Sequence, residues 1–326
     1  MQAIVMRGAG GPEVLELADV AAPVPGKSEV RVRVRATAVN RADLLQRMGG
    51  YPPPRDAPAD ILGLEFAGEV DAVGACVFDL AVGDRVFGLV GGGAYAEHLV
   101  VHERTVARLP DAVGFVEGAA IPEAFLTAYD AMVLQAGLTA GESVVVHAVG
   151  SGVGTAAVQI ARAIGARSLG TARTANKLER AAALGLDAGI CVQDACFSER
   201  VLELTGGRGV DVVLDLAGGA YVAEGLKCLA PKGRLVLVGL VAGGRAELDL
   251  SVILRKRITL RGTVMRSRPL EERIAAAQVL GRNIAPLVAR GVYRAVIDQV
   301  LPLAQAGRAH ALLAANESFG KIVLTT

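Results

Sequence analysis

The stretch VVVHAVGSGVG, residues 144–154, runs from a continuous apolar segment into three alternating glycines, Gly150, Gly152 and Gly154. A glycine-rich turn between a buried strand and a helix lets backbone N–H groups and the helix dipole face a phosphate. Aligned on its last glycine, the loop Val149-Gly150-Ser151-Gly152-Val153-Gly154 has valine and serine at two of the three glycine positions of the dinucleotide fingerprint G-x-G-x-x-G. The three glycines present are expected to supply the tight turn and the close helix packing. Ser151 adds a hydroxyl able to donate to a phosphate oxygen. About 20 residues on, an NAD site keeps an acid for the ribose 2′-hydroxyl. The sequence there is GTARTANK, with no acid and with Arg173, Thr174 and Lys177 instead. These groups suit a 2′-phosphate. One charge-assisted hydrogen bond is worth about 1.5–3 kcal/mol, or roughly tenfold or more in preference for the phosphorylated dinucleotide.

A second candidate for chemistry is Tyr51, in GGYPPP, a phenol on a loop stiffened by prolines. It is placed to donate a hydrogen bond to a substrate oxygen, or simply to pack. Metal chemistry finds no comparable set. The four cysteines, Cys76, Cys191, Cys196 and Cys228, form no C-x-x-C pair, and the four histidines include no H-E-x-x-H. His98 and His102 lie in AYAEHLVVHERT, which alternates like a strand, and are read as surface residues.

Two blocks of elements must position these residues. VRVRVRATAV (30–39) alternates strictly, as a half-buried strand does, with Arg31, Arg33 and Arg35 on a solvated face. A short helix, NRADLLQRM (40–48), follows, then further strands in LEFAGEVDAVG, GDRVFGLV and AYAEHLVV separated by Gly-rich turns. That spacing predicts a small β-barrel. From about residue 120 apolar strands alternate with helices, the pattern of a parallel sheet. SVVVHA, RSLGTA, GICV, VDVVLDLA, RLVLVGL and RITLRGT supply its strands. The helix after the loop is predicted to bury Val153, Ala157, Ile160, Ala161 and Ile164. The tail from about 270 is read as two helical stretches and a last strand, GKIVLTT. The fold class expected is α/β, a β-barrel domain (residues 1–122 and 268–326) interrupted by a Rossmann domain (123–267).

Composition narrows the function classes. A chain of 326 residues with net charge +1 and 4% aromatics lacks the basic, ring-rich surface that nucleic-acid binding needs. The apolar runs are strand-sized, and the start, MQAIVMRGAGG, has no secretory core. A cytoplasmic enzyme is expected.

Several stretches together resemble the zinc-free quinone oxidoreductases of the medium-chain dehydrogenase/reductase superfamily, most of all their tumour-suppressor-inducible members. They are NRADLLQRMGGYPPP, ILGLEFAGEV, AAIPEAFLTAYDAM, SGVGTAAVQIARA and NESFGKIVL. The resemblance spans essentially the whole chain. It implies a GroES-like barrel with a Rossmann domain, NADPH in the cleft between them, hydride transfer to ortho-quinones, and a dimer joined through Rossmann sheet edges, possibly extended to a tetramer. Position by position, it implies that Asn40 and Tyr51 lie near the nicotinamide, as the catalytic pair, with Tyr51 lining the substrate opening. Thr127 would sit under the ring, and the glycine loop with Ser151 would hold the pyrophosphate. Lys177 would take the 2′-phosphate. Gly239 and Leu240 would flank the nicotinamide, and Val264, Met265 and Arg266 would close over it.

Two departures bear on the chemistry. Where these relatives have a tyrosine near the adenosine phosphate, this chain has Val192; where the tumour-suppressor-inducible members have glycine, it has Arg173. Zinc alcohol dehydrogenases of the superfamily carry their histidine in a G-H-E triplet, which here reads Gly63-Leu64-Glu65. Leucine ligates no zinc. Two rival roles share the pattern: reduction of an activated alkene such as an enoyl thioester, and, in another class, AU-rich RNA binding or a crystallin-like structural role.

Overall fold

A computed structural model describes all 326 residues. The first strands are β1 (Gln2–Met6), β2 (Leu15–Asp19), β3 (Glu29–Val39), β4 (Glu65–Val73), β5 (Arg85–Leu89), β6 (His98–His102) and β7 (Val106–Arg108). The helix α1 (Arg41–Arg47) stands between β3 and β4, and α2 (Phe115–Ala119) and α3 (Pro122–Tyr129) follow β7. The middle of the chain alternates β8 (Ser143–Val146), α4 (Gly152–Ile164), β9 (Arg167–Ala172), α5 (Ala175–Ala182), β10 (Ala188–Cys191), α6 (Ser198–Leu204), β11 (Val210–Asp215), α7 (Ala220–Cys228), β12 (Leu229–Leu237), α8 (Leu250–Lys256) and β13 (Thr259–Gly262). The tail adds α9 (Leu270–Val279), α10 (Ala285–Ala289), β14 (Ile297–Pro302), α11 (Ala306–Ala315) and β15 (Lys321–Thr325).

The chain divides into two units, one of Met1–Leu126 with Met265–Thr326, the other Thr127–Val264. In the first unit β3, the longest strand, pairs with β4, β6 and β15, all antiparallel. Its alternation is visible in burial: Val30, Val32 and Val34 are buried while Arg33 and Arg35 are exposed. Two of the three arginines of that face are neutralised across the sheet, Arg31 by Asp71 and Arg35 by Glu69. His98, on β6, is only partly exposed and joins the same Asp71 carboxylate at 3.1 Å, so it is less a surface residue than its strand pattern suggests. The tail holds one strand more than the sequence pattern gave. β14 (IDQVLP) is only partly buried and pairs parallel to β15; its isolated charge and proline masked the alternation.

In the second unit six strands lie in the order β10-β9-β8-β11-β12-β13, every pairing parallel. This is the doubly wound Rossmann order, with its switch point beside the first strand, β8. Its core is Val145, Leu169, Ile190, Val192, Phe197, Val213 and Leu235 with their neighbours. In α4 Ala157, Ile160 and Ala161 are buried as expected, but so are Thr155, Ala156, Val158 and Gln159. The helix is enclosed nearly all round, which a one-sided apolar stripe does not convey.

Candidate active site

In the first unit a chain of buried polar groups is built around the end of β3. Asn40 caps α1, and the Asp43 carboxylate accepts the Asn40 backbone N–H at 2.8 Å. The Asn40 amide nitrogen donates to Ala38 O and to Glu65 Oε1, at 3.1 and 2.9 Å. Lys321 Nζ donates to Asn40 Oδ1, to Val39 O and, at 2.7 Å, to Glu65. The second Glu65 oxygen accepts Glu123 N–H at the first turn of α3. Glu65 is 0% and Lys321 5% exposed through their side chains. A buried ion pair of this kind holds only because its remaining lone pairs and protons are also bonded. Both amide hydrogens of Asn40 are thus spent within its own unit, which makes the residue a rigid support.

A second arm runs from Asp43. Arg47 approaches His310 Nδ1 at 3.5 Å, and the other ring nitrogen lies 3.1 Å from Tyr95 Oη, which reaches Asp43 at 3.3 Å. Arginine only donates, so the His310 proton sits on Nε2 and the bonds run in one direction, toward the carboxylate. Burial, and then the Arg47 charge, depress the His310 pKa to about 3. Burial raises Asp43 to about 6, against the pull of the Asn40 N–H and the Lys321 charge.

Tyr51 is half-buried on its loop. The Arg266 guanidinium lies 5.1 Å from the centre of its ring and also donates to the Tyr51 carbonyl at 3.3 Å, to Gly91 O at 2.7 Å and to Gln46 Oε1. Burial raises the phenol pKa, and the Arg266 charge partly counters it. The Arg266 side chain, 6% exposed, is therefore a clamp on the Tyr51 loop. With Met265 it walls a small cavity whose lining also includes Leu89, Leu126, Leu280, Arg268 and Arg273.

The second unit holds the glycine loop. Ser151 caps α4, its hydroxyl oxygen accepting Gly154 N–H at 3.0 Å, so its proton stays available for a ligand. The tight turn does not use a glycine: Ala148 takes the left-handed conformation, with φ +51°, and Gly150, Gly152 and Gly154 do not. Gly154 matters for packing, since a Cβ there would overlap Ala148 O and Val149 Cα. Val149 is fully buried, and the room for it comes from Gly170 on β9, where a Cβ would overlap Val149 Cγ1. A valine in place of the first fingerprint glycine is offset by a glycine on the neighbouring strand. Val153 is partly exposed in the first turn of α4.

Most other candidate residues of the unit follow the carboxyl ends of strands. Arg173 and Thr174 are exposed just past β9, and Lys177 is in the first turn of α5. Arg173 pairs with no carboxylate, and Thr174 caps α5 without a side-chain bond. Gly239 and Leu240 follow β12, Leu240 being 57% exposed, and Val264 follows β13 at 50%. Thr127 is buried in α3.

Motif and spacing do not mark Glu65 and Lys321 as a pair, the Asp43–Tyr95–His310 arm, or two buried groups of the second unit. His147 is bonded through Nδ1 to Thr171 at 2.9 Å, its Nε2 without a hydrogen-bond partner. Burial lowers its pKa to about 3. Asp215 ends β11 with one carboxylate oxygen accepting Ala217 and Gly218 N–H and the other unpartnered. The available signal was an ionisable residue inside an apolar strand run, as in VVVHA, VDVVLD, ILGLEF and GKIVL.

Comparison with known proteins accounts for both units. Residues 26–111 match the alcohol dehydrogenase GroES-like domain and residues 152–280 the zinc-binding dehydrogenase domain. A quinone oxidoreductase of Pseudomonas aeruginosa is 38% identical over 97% of this chain and 96% of its own length. Among solved structures, Escherichia coli quinone oxidoreductase complexed with NADPH superimposes with a TM-score of 0.90 at 30% identity, and an NAD-dependent alcohol dehydrogenase with 0.89 at 36%, each covering 100% of both chains. The chain is an enzyme of the quinone oxidoreductase family, within the medium-chain dehydrogenase/reductase superfamily.

Proposed function

We propose that this enzyme transfers a hydride from NADPH to ortho-quinones without zinc. The observation that carries the reading is the Glu65–Lys321 pair. In the triplet Gly63-Leu64-Glu65 the middle residue is a buried leucine, and the carboxylate already has an ammonium at 2.7 Å. With a cation supplied by the protein and no imidazole beside it, the donor set suits no zinc ion. Without a Lewis acid the substrate must be electron-poor on its own account. A quinone meets this, because adding hydride gives an aromatic phenolate, which then takes one proton from solvent. Such a substrate needs positioning more than acid catalysis.

The residues present also fit the cofactor. Gly154 closes α4 onto the loop, Ser151 keeps a free hydroxyl proton, and Arg173 and Thr174 offer donors that no protein acid occupies. Bound NADPH supplies the hydride. In this reading the loop Val149–Gly154 cradles the pyrophosphate, and Arg173, Thr174 and Lys177 hold the 2′-phosphate. Thr127, Gly239, Leu240, Val264, Met265 and Arg266 border the nicotinamide. Tyr51, held by Arg266, offers its phenol to a quinone oxygen, and Asn40 supports it from the buried network rather than reacting. Three exposed free thiols, Cys76, Cys191 and Cys196, suit a reducing cytoplasm. The open edge of β13, exposed at all four residues and flanked by exposed Leu250 and Leu254, suits a homodimer formed by sheet pairing.

The test is turnover of phenanthrenequinone with NADPH and with NADH, before and after EDTA. NADPH-preferring activity that EDTA leaves intact is the expected result. Loss of activity to the chelator removes the zinc-free reading. Turnover of crotonyl-CoA with none of the quinone replaces quinone reduction by alkene reduction.

A further inference from the structure

One phenol of the second unit, Tyr221, is held rigidly with its hydroxyl unbonded. Val192 is 2% exposed and packs into the core with Ile190 and Phe197, so it presents nothing outward. Tyr221, in the first turn of α7, lies on the loop that leaves β11. Its ring stacks on Phe197, with centroids 5.7 Å apart and planes 29° apart, and meets the edge of His147 at 5.0 Å. His147 in turn bonds Thr171, two residues before Arg173. Glu224 of α7 accepts the backbone N–H groups of Phe197 and Ser198, at 3.2 and 3.1 Å, tying the loop after β10 to α7. The Tyr221 ring is therefore fixed by His147, just past β8, and by Phe197, past β10, and His147 is in turn anchored to the end of β9. The Tyr221 hydroxyl bonds no protein group. Burial raises the phenol pKa, the Arg173 charge lowers it, and the Asp215 charge adds to the rise. One Asp215 oxygen accepts the Ala217 and Gly218 N–H groups, and the other has no partner.

We propose that Tyr221 is a specificity residue for the adenosine 2′-phosphate, donating its hydroxyl to that group beside Arg173. The proposal rests on the NADPH reading above. A hydroxyl that meets a phosphate makes a charge-assisted bond, whereas 5′-AMP, which has no 2′-phosphate, gives it nothing to bind.

Calorimetric titration of the whole protein with adenosine 2′,5′-bisphosphate and with 5′-AMP tests it. Wild type should bind the bisphosphate at least about tenfold more tightly than 5′-AMP, and Tyr221→Phe, which keeps the ring stack, should lose about tenfold for the bisphosphate and less than about twofold for 5′-AMP. Arg173→Ala should show the same selective loss. Unchanged bisphosphate affinity in Tyr221→Phe, or equal loss for both ligands, overturns the role of Tyr221 while wild-type discrimination keeps the NADPH reading. A wild type that does not discriminate overturns both.

Discussion

The two units solve the placement of charge in opposite ways. Around Asn40 every charge is answered inside the protein: Lys321 by Glu65, and Asp43 by backbone N–H groups and Tyr95. Past β9 Arg173 and Thr174 are exposed without a side-chain partner, and in α7 the hydroxyl of the half-buried Tyr221 bonds no protein group. A closed network fixes geometry, because each bond removes a rotamer choice from its neighbours. An open set keeps its binding capacity for a ligand, at the cost of contributing little to stability. The contrast separates residues that hold a site in shape from residues that bind.

The largest effect expected from this contrast is on folding. Lys321→Met leaves Glu65 buried without its cation and should cost about 3–5 kcal/mol in urea unfolding, whereas Arg173→Ala should stay within about 0.5 kcal/mol of wild type. Adding Glu65→Gln to Lys321→Met should recover part of the loss. Equal effects of the two single changes would erase the distinction.

A smaller effect concerns pH, and both units share it. His147 and His310 are neutral in the fold down to about pH 3 but titrate near 6.5 when unfolded. Their stabilising contribution is complete above pH 6.5 and is lost as the pH falls. Asp43, raised to about 6, acts the other way: its contribution is present at low pH and lost as the pH rises through about 6. Two groups outweigh one, so the urea midpoint should drop between pH 7 and pH 5. A flat or rising midpoint on acidification would show that the histidines are charged in the native state.

How much of this was legible in the sequence follows from what each feature depends on. The Rossmann sheet could be read because a parallel, doubly covered strand is apolar throughout, as SVVVHA and VDVVLDLA are, and because helices alternate with it. The β3 strand and the α1 helix were equally plain. Features that depend on pairing between distant segments were not. Nothing near Val149 reveals that Gly170 makes room for it, and nothing near Ala148 announces a left-handed turn. Glu65 and Lys321 each interrupt an apolar run, which marks them as buried, but only the antiparallel pairing of β15 and β4 with β3 brings them together. The same holds for Val192, whose side chain belongs to the core, and for Tyr221, whose ring is fixed by His147 and Phe197 from distant segments. Arg266 was assigned to the cofactor from its place in the chain, while its side chain is spent on Tyr51, Gly91 and Gln46.

The most direct test of the central claim, that the open set past β9 is built for a 2′-phosphate, is a pair of binding titrations followed by nicotinamide fluorescence. The account predicts that NADPH binds at least about tenfold more tightly than NADH, and that Arg173→Ala removes most of that difference. Equal affinity for the two cofactors, or tighter binding of NADH, would contradict it.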